Sequence, residues 1–266
     1  MLKNKNVILK TLYKIISKRA DYVIIGLSGG VDSTVAACIC TKALGPENVY
    51  TYGLPYSHED WVKYNFCSES LAENLKVHYK TIPIEDALAG YKDVIDLPLR
   101  TTPAANLKTR IRTNILYLMK DLKNDAFRKK GIVIGTSNLT EMFIGDHVVG
   151  GDALGDLFIL GDLFKSEVYE IAQYFVSKGV IEQNHIDPIP SSGLFTNIST
   201  ESQLGYNFYD IEDVIQDWFS FIAKPEEKDI SELYRISDVH KFVLDSYFAN
   251  RHKFQTANTV RLRYLI

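Results

Sequence analysis

The stretch SGGVDS (28–33) packs two hydroxyls, two glycines and a carboxylate into one short loop. It sits between the apolar run YVIIGL (22–27) and VAACICTKAL (35–44). Glycines let a backbone curl so that several N–H groups converge on one point, and the start of a helix adds partial positive charge there. With the hydroxyls of Ser28 and Ser33, such a loop suits a phosphate group. Asp32 beside an anion makes sense if a magnesium ion is shared, because carboxylate and phosphate oxygens both bind this hard cation. The loop is neither GxxxxGK[ST] nor GxGxxG. Its other reading is a strand–helix turn capped by Ser or Asp.

The elements around it decide whether such a loop can be positioned. YVIIGL is apolar on both faces, as a central parallel strand should be. A helix near 31–44, a strand at 48–55, a helix near 59–75 and a strand at 77–84 follow. Residues 103–124 read as a long helix with Ile111, Ile115, Leu118, Met119 and Leu122 on one face, and GIVIGT (131–136) reads as a second buried strand. FKSEVYEIAQYF (164–175) reads as helical. The βαβα rhythm predicts a doubly wound parallel α/β sheet flanked by helices, Rossmann-like, with ligands at the carboxyl ends of the strands. The stretches 84–103 and 191–205 lack clear periodicity and read as mobile surface, and 224–232 as a solvated loop.

The chain has 266 residues, of which 46% are hydrophobic and 24% charged, with a net charge of −3. One domain spanning 1–266 is expected. No basic field points to nucleic acid, and no apolar run approaches the roughly 20 residues of a membrane span. Cys38, Cys40 and Cys67 make no zinc spacing or disulfide framework, which fits a cytoplasmic setting. The basic first twenty residues carry Ile8, Leu9, Leu12, Ile15 and Ile16 at helical spacing. They read as a helix of the fold running straight into YVIIGL, not as a removable leader. His58, His78, His147, His185 and His240 have no metal-like spacing.

SGGVDS resembles the pyrophosphate-binding loop of the N-type ATP pyrophosphatases, which cleave ATP between the α- and β-phosphates. Within that group the chain is similar to the NAD synthetases. NLKTRIR (106–112) resembles their N-x-K-x-R-x-R helix, and GTSNLTE (135–141) their GTSN-x-(S/T)-E segment. GGDALGDLFILGDLFKSEVYEIA (150–172) resembles their GD-x-x-x-D, GDL-x-K and V-x-x-(I/L)-A run. IPSSGLF (189–195), LGYNFYDIED (204–213) and NRHKF (250–254) complete the series in family order. The likeness is to the ammonia-dependent form, since no nitrilase-type glutaminase domain fits in 266 residues.

The resemblance implies that the carboxylate of deamido-NAD is adenylated by ATP, and that ammonia then displaces AMP to give NAD. It implies ATP contacts from Leu27, Ser28, Gly29, Gly30, Asp32, Ser33, Leu54, Thr136, Lys165 and Ser191. Asp32 and Glu141 would hold Mg2+, Lys165 would neutralise the departing phosphates, and Asp32 and Lys165 would be the catalytic pair. Arg110, Asp156, His252 and Lys253 would bind the dinucleotide. A homodimer is implied, with the 103–124 helix as a candidate interface element whose other role is packing on the sheet. Arg110 could equally form a surface ion pair, Glu141 could stabilise a first helical turn, and Lys165 could be a solvated lysine.

The acceptor side departs from the family pattern. SHEDWVKYNF (57–66) stands for D-E-x-D-A, and TNISTES (196–202) for G-Q-T-D-E. VVGGD (148–152) stands for T-K-x-G-D, so Val149 occupies a position where the family has a lysine. Three readings follow. One is an NAD synthetase with an altered pocket, another an adenylating amide synthetase for a different carboxylate, and the third a catalytically silent nucleotide-binding protein. Retention of Asp32, Glu141 and Lys165 argues against the third.

Overall fold

A strand without a polar position needs partners on both edges and cover on both faces. Tyr22–Gly26 (β1) has both. The computed structural model describes residues 4–57, 66–92, 94–95, 98, 101–186, 204–223 and 229–254. Its sheet has five parallel strands in the order β3-β2-β1-β4-β5, where β2 is Val49–Gly53, β3 His78–Thr81, β4 Gly131–Gly135 and β5 Leu157–Phe158. Ile24 lies in register with Tyr50 on one side and Val133 on the other.

Alternation along β1 divides the core. Val23 and Ile25 enter one cluster with α1 (Lys5–Arg19), α2 (Val31–Leu44), α3 (Phe66–Leu75) and a later helix, α7 (Lys165–Ser177). Tyr22 and Ile24 enter the opposite cluster with α4 (Glu85–Lys92) and α5 (Thr102–Phe127). This is the period-two pattern of a strand covered on both faces. Helix α2 is apolar nearly all round and correspondingly buried, with Cys38 and Cys40 inside it. Burial pushes the Cys38 thiol up to about 12 and Cys40 higher still, so both behave as small apolar groups.

A third cluster joins α6 (Leu139–Ile144) to α8 (Phe208–Ile222), α9 (Ser231–Tyr234) and α10 (Asp238–Asn250) through Phe143, Ile211, Trp218 and Leu244. Asn207 caps α8 by accepting from the Asp210 N–H, and Ser237 caps α10 by accepting from the His240 N–H. Among the described residues no helix is long and apolar enough to cross a membrane.

Two expectations differ from what is observed. The stretch 84–103 is not all loop: α4 occupies Glu85–Lys92, pinned by fully buried Ile84 and Leu88 one helical turn apart. The face expected on the long helix divides. Ile111, Ile115 and Met119 pack on the sheet, whereas Leu118 and Leu122 are exposed. The sheet is twisted, so the stripe of a long helix that touches it rotates along its length. Tyr22 accordingly meets α5 at Lys120 and Asn124, donating its hydroxyl to the Lys120 carbonyl and to Asn124 Oδ1. The stretch 191–203, including Ser191, lies outside the described residues, as does 58–65.

Candidate functional site

The strand order reverses between β1 and β4, and the crevice at the carboxyl ends of these two strands is where open α/β sheets bind ligands. The segments emerging there are SGGVDS and TSNLTE. After β1 the chain passes through Leu27, which is core: its N–H donates to the Tyr52 carbonyl and its own carbonyl accepts from Ser68. Gly29 then adopts a φ of 85°, a left-handed conformation that a side chain disfavours.

The turn is folded around its two hydroxyls. Ser33 Oγ donates to the Gly30 carbonyl at 3.0 Å and accepts from the Ser28 N–H at 3.3 Å. Ser28 Oγ accepts from the Gly30 N–H at 3.3 Å and lies 3.2 Å from Ser33 Oγ. Helix α2 starts after its N-cap residue, Gly30, with no side-chain cap. Its amino end therefore presents first-turn N–H groups and dipole charge to the crevice, as anion sites do.

On the β4 side, Asn138 and Glu141 form a capping box that starts α6. Asn138 Oδ1 accepts from the Glu141 N–H at 3.0 Å, and Glu141 Oε2 accepts from the Asn138 N–H at 3.4 Å. Asn138 also donates from Nδ2 to Asp32 Oδ1 at 2.9 Å, tying the two segments together across the switch point. Lys165, the first residue of α7, is only 4% exposed. Its ammonium donates to Asp32 Oδ2 and, at 3.2 Å, to Glu141 Oε1.

Burial and the nearby Asp32 carboxylate raise the Glu141 carboxyl above its ordinary range, against the opposing pull of Lys165. Burial alone would lower the Lys165 pKa, but Asp32 and Glu141 reverse this and hold the ammonium far above the ordinary lysine range. Two carboxylates converging on one cation are a hard-oxygen donor pair. Magnesium is typically held by one or two carboxylates, with substrate phosphates and water completing its shell. Asp32 and Glu141 fit that description, and among the described residues there is no group of three or more His, Cys, Asp or Glu arranged to hold a metal alone.

The residues expected on the acceptor side fall in separate places. Arg110 donates from Nε to the Val149 carbonyl at 3.0 Å, so the NLKTRIR helix and the VVGGD turn meet. Val149 is 49% exposed. The neighbouring Arg112 donates from Nε to the Leu54 carbonyl at 2.8 Å, fixing the end of β2. Asp156 is engaged at the sheet edge, where Oδ2 accepts from the Val133 N–H at 2.9 Å and from Lys120 at 3.3 Å, and Oδ1 accepts from the Tyr117 hydroxyl at 3.3 Å. Lys253 donates to the Gly145 and His147 carbonyls, at 2.6 and 3.2 Å, bracing the carboxyl end of α6. His252 is exposed, with Nδ1 3.0 Å from the Ala249 carbonyl. Thr136 lies partly buried just past β4.

Sequence reading missed the bridging part played by Asn138. The signal was available, because N-x-x-E at 138–141 is a helix-start pattern. The tie to Asp32 was not, since it depends on three-dimensional placement.

His147, just beyond α6, is buried. Burial, then the positive charge of Lys253, lowers its pKa to about 4. Its folded pKa thus lies below the ordinary imidazole value of about 6.5, so the unfolded chain binds the proton more readily. This contribution to stability is fully present above about pH 6.5 and is lost as the pH falls towards 4, on the order of 3 kcal/mol in all. Urea titrations between pH 7.5 and 4.5 should show a flatter dependence for His147→Gln than for the wild type. Equal slopes would remove His147 as the source.

Residues 5–257 match a family model described as NAD synthase. The NH(3)-dependent NAD(+) synthetase of Methanococcus aeolicus is 33% identical over 83% of this chain and 82% of its own length. That of Archaeoglobus fulgidus is 29% identical over 92% of this chain and 90% of its own. Among solved structures, the NMN synthetase from Francisella tularensis aligns with a TM-score of 0.76 at 26% identity, covering 96% of this chain and 98% of that one. The NH3-dependent NAD synthetase from Campylobacter jejuni aligns with a TM-score of 0.72 at 22% identity, covering 98% and 100%, a likeness of fold.

Proposed function

Since this chain belongs to the NAD synthase family, we propose that it uses ATP and ammonia to convert the nicotinate carboxylate of deamido-NAD into the carboxamide of NAD, releasing AMP and pyrophosphate. The observation that carries the proposal is the buried ammonium of Lys165 held between Asp32 and Glu141, beside the uncapped amino end of α2.

Ammonia cannot expel oxide from a carboxylate. A carboxylate oxygen must first attack the α-phosphorus, breaking the bond to the β-phosphate, whose oxygen leaves with the electron pair as pyrophosphate. Ammonia then attacks the acyl carbon, loses a proton, and AMP departs. The protein's task is positioning and charge neutralisation. The 28–33 turn and the α2 amino end would seat the phosphates. Lys165 would meet the negative charge that grows on the departing pyrophosphate. Asp32 and Glu141 would hold magnesium, which when bound neutralises phosphate charge. Thr136 and the Leu54 backbone lie at strand ends suited to the adenosine. Ser191, Arg110, Asp156, His252 and Lys253 belong to the same proposal as ATP and acceptor contacts. So do a cytoplasmic setting, a single domain and a homodimer, with the exposed Leu118 and Leu122 of α5 as part of its contact.

A second reading, amidation of the corresponding mononucleotide, has two observations behind it. Val149 stands where a lysine would meet a substrate phosphate, and the chain resembles an NMN synthetase at 26% identity. Steady-state pyrophosphate release with ATP, magnesium and ammonia separates the two. Deamido-NAD should give kcat/KM of about 10⁴ M⁻¹s⁻¹ or above, with nicotinate mononucleotide at least tenfold lower. Val149→Lys should tighten the deamido-NAD KM or leave it unchanged. A charge-assisted phosphate contact is worth roughly 10- to 150-fold. Preference for the mononucleotide, weakened by lysine at 149, would select the second reading. Glutamine in place of ammonia should support little turnover.

A further inference from the structure

Among the described residues, one more carboxylate is deeply buried outside the carboxylate–ammonium cluster. Glu212 of α8 is 3% exposed. It is aimed at the two residues flanking the charged groups of the site. Its Oε1 accepts from Thr140 Oγ1 at 2.9 Å and from the Ser166 N–H at 3.0 Å, and its Oε2 accepts from Ser166 Oγ. Thr140 Oγ1 in turn accepts from the Lys165 N–H at 3.0 Å. The Thr140 hydroxyl has one proton, and Glu212 takes it, so the lone pair left over faces the Lys165 backbone. Thr140 precedes Glu141, and Ser166 follows Lys165. The first turn of α7 is therefore capped by groups from two other helices, α6 and α8, and those same groups fix the origins of the Lys165 and Glu141 side chains.

We propose that Glu212 is a positioning residue for the adenylation step: through Thr140 and Ser166 it sets where the Lys165 ammonium and the Glu141 carboxylate meet. A buried carboxylate with donors on both oxygens is a rigid anchor, and α8 is itself locked by Ile211, Val214, Ile215 and Trp218 into the cluster that also holds Phe143 and Ile144 of α6. Lys165 is asked to meet charge that develops as the α–β bond breaks, so an error in its position acts on the transition state more than on bound ATP. A shift of about 1 Å at such a group costs on the order of a hundredfold.

The inference rests on the adenylation reading, so wild-type pyrophosphate release is measured alongside. Thr140→Val keeps shape and removes the hydroxyl, and Glu212→Leu removes both acceptors. Each should lower kcat of the folded enzyme roughly tenfold to a hundredfold, with KM for ATP changed by less than about threefold. Glu212→Gln, which keeps an acceptor at Oε1, should recover most of the loss. The double variant Thr140→Val/Glu212→Leu should be no slower than the slower single one, because both cut the same connection. If a leucine at 212 prevents folding, Thr140→Val alone still decides. Unchanged kcat in folded Thr140→Val, or losses that multiply in the double variant, would overturn the inference. Absence of wild-type turnover would instead overturn the adenylation reading.

Discussion

Replacing Asp32 by alanine is expected to reduce pyrophosphate release about a thousandfold or more and to leave the protein folded. Asp32 sits in the first turn of α2, accepts from Asn138 Nδ2 and pairs with Lys165. Its loss removes one of the two carboxylates proposed to hold magnesium and the link between the β1 and β4 segments. Breaking a buried ion pair costs about 3–5 kcal/mol when the surviving charge is stranded. Here Lys165 keeps Glu141, and a carboxylate that repels Glu141 has gone, so the stability cost should be about 1–2 kcal/mol. Thermal melting and a pyrophosphate assay on the same preparation check both halves. Full activity in Asp32→Ala would remove the assignment of this crevice to ATP.

Lys165→Met should be nearly as severe, lowering kcat by about a hundredfold to a thousandfold with a smaller change in KM for ATP. The methionine fills the stem's volume but leaves Asp32 and Glu141 facing each other without their cation. The Glu141 carboxyl, already raised by burial and by Asp32, then loses the opposing influence of the ammonium. The variant should consequently gain a magnesium dependence in the absence of nucleotide. Millimolar magnesium should raise its Tm by several degrees, an effect of about 1 kcal/mol, and should hardly move that of the wild type. A variant whose melting ignores magnesium would mean that these carboxylates are not a cation site.

The parts of the fold visible in sequence were those where a single local rule suffices. YVIIG has no polar face, so only a central parallel strand can use it, and α2 follows from an apolar run after paired glycines. Helix α4 was obscured because only Ile84 and Leu88 anchor it, too few for a periodic signal. The short β5 was missed because two residues carry no pattern, and its place is fixed by pairing to Ile134 and Gly135. In the candidate site, the ordered motifs pointed to Asp32, Glu141 and Lys165, and these do meet. Which group touches which was not legible: Asn138 and Glu212 act across 106 and 72 positions of sequence, to Asp32 and Thr140. Asp156 was named through the family resemblance alone, and its bonds to Val133, Lys120 and Tyr117 follow from no local sequence rule.

Lys165 has an implication for the crevice as a whole. The ammonium is a tethered counter-ion: it is joined to the main chain at the start of α7, yet it lies on the carboxylates that would receive magnesium. If Asp32 and Glu141 hold magnesium as proposed, filling the crevice with a magnesium nucleotide would be an exchange of partners. Asp32 and Glu141 would hold the metal, and the Lys165 ammonium, freed from them, would be the cation left to meet the phosphates. The ammonium lying between the two carboxylates offsets their mutual repulsion. The protein would in this way behave as a small ion exchanger whose exchangeable ion cannot diffuse away.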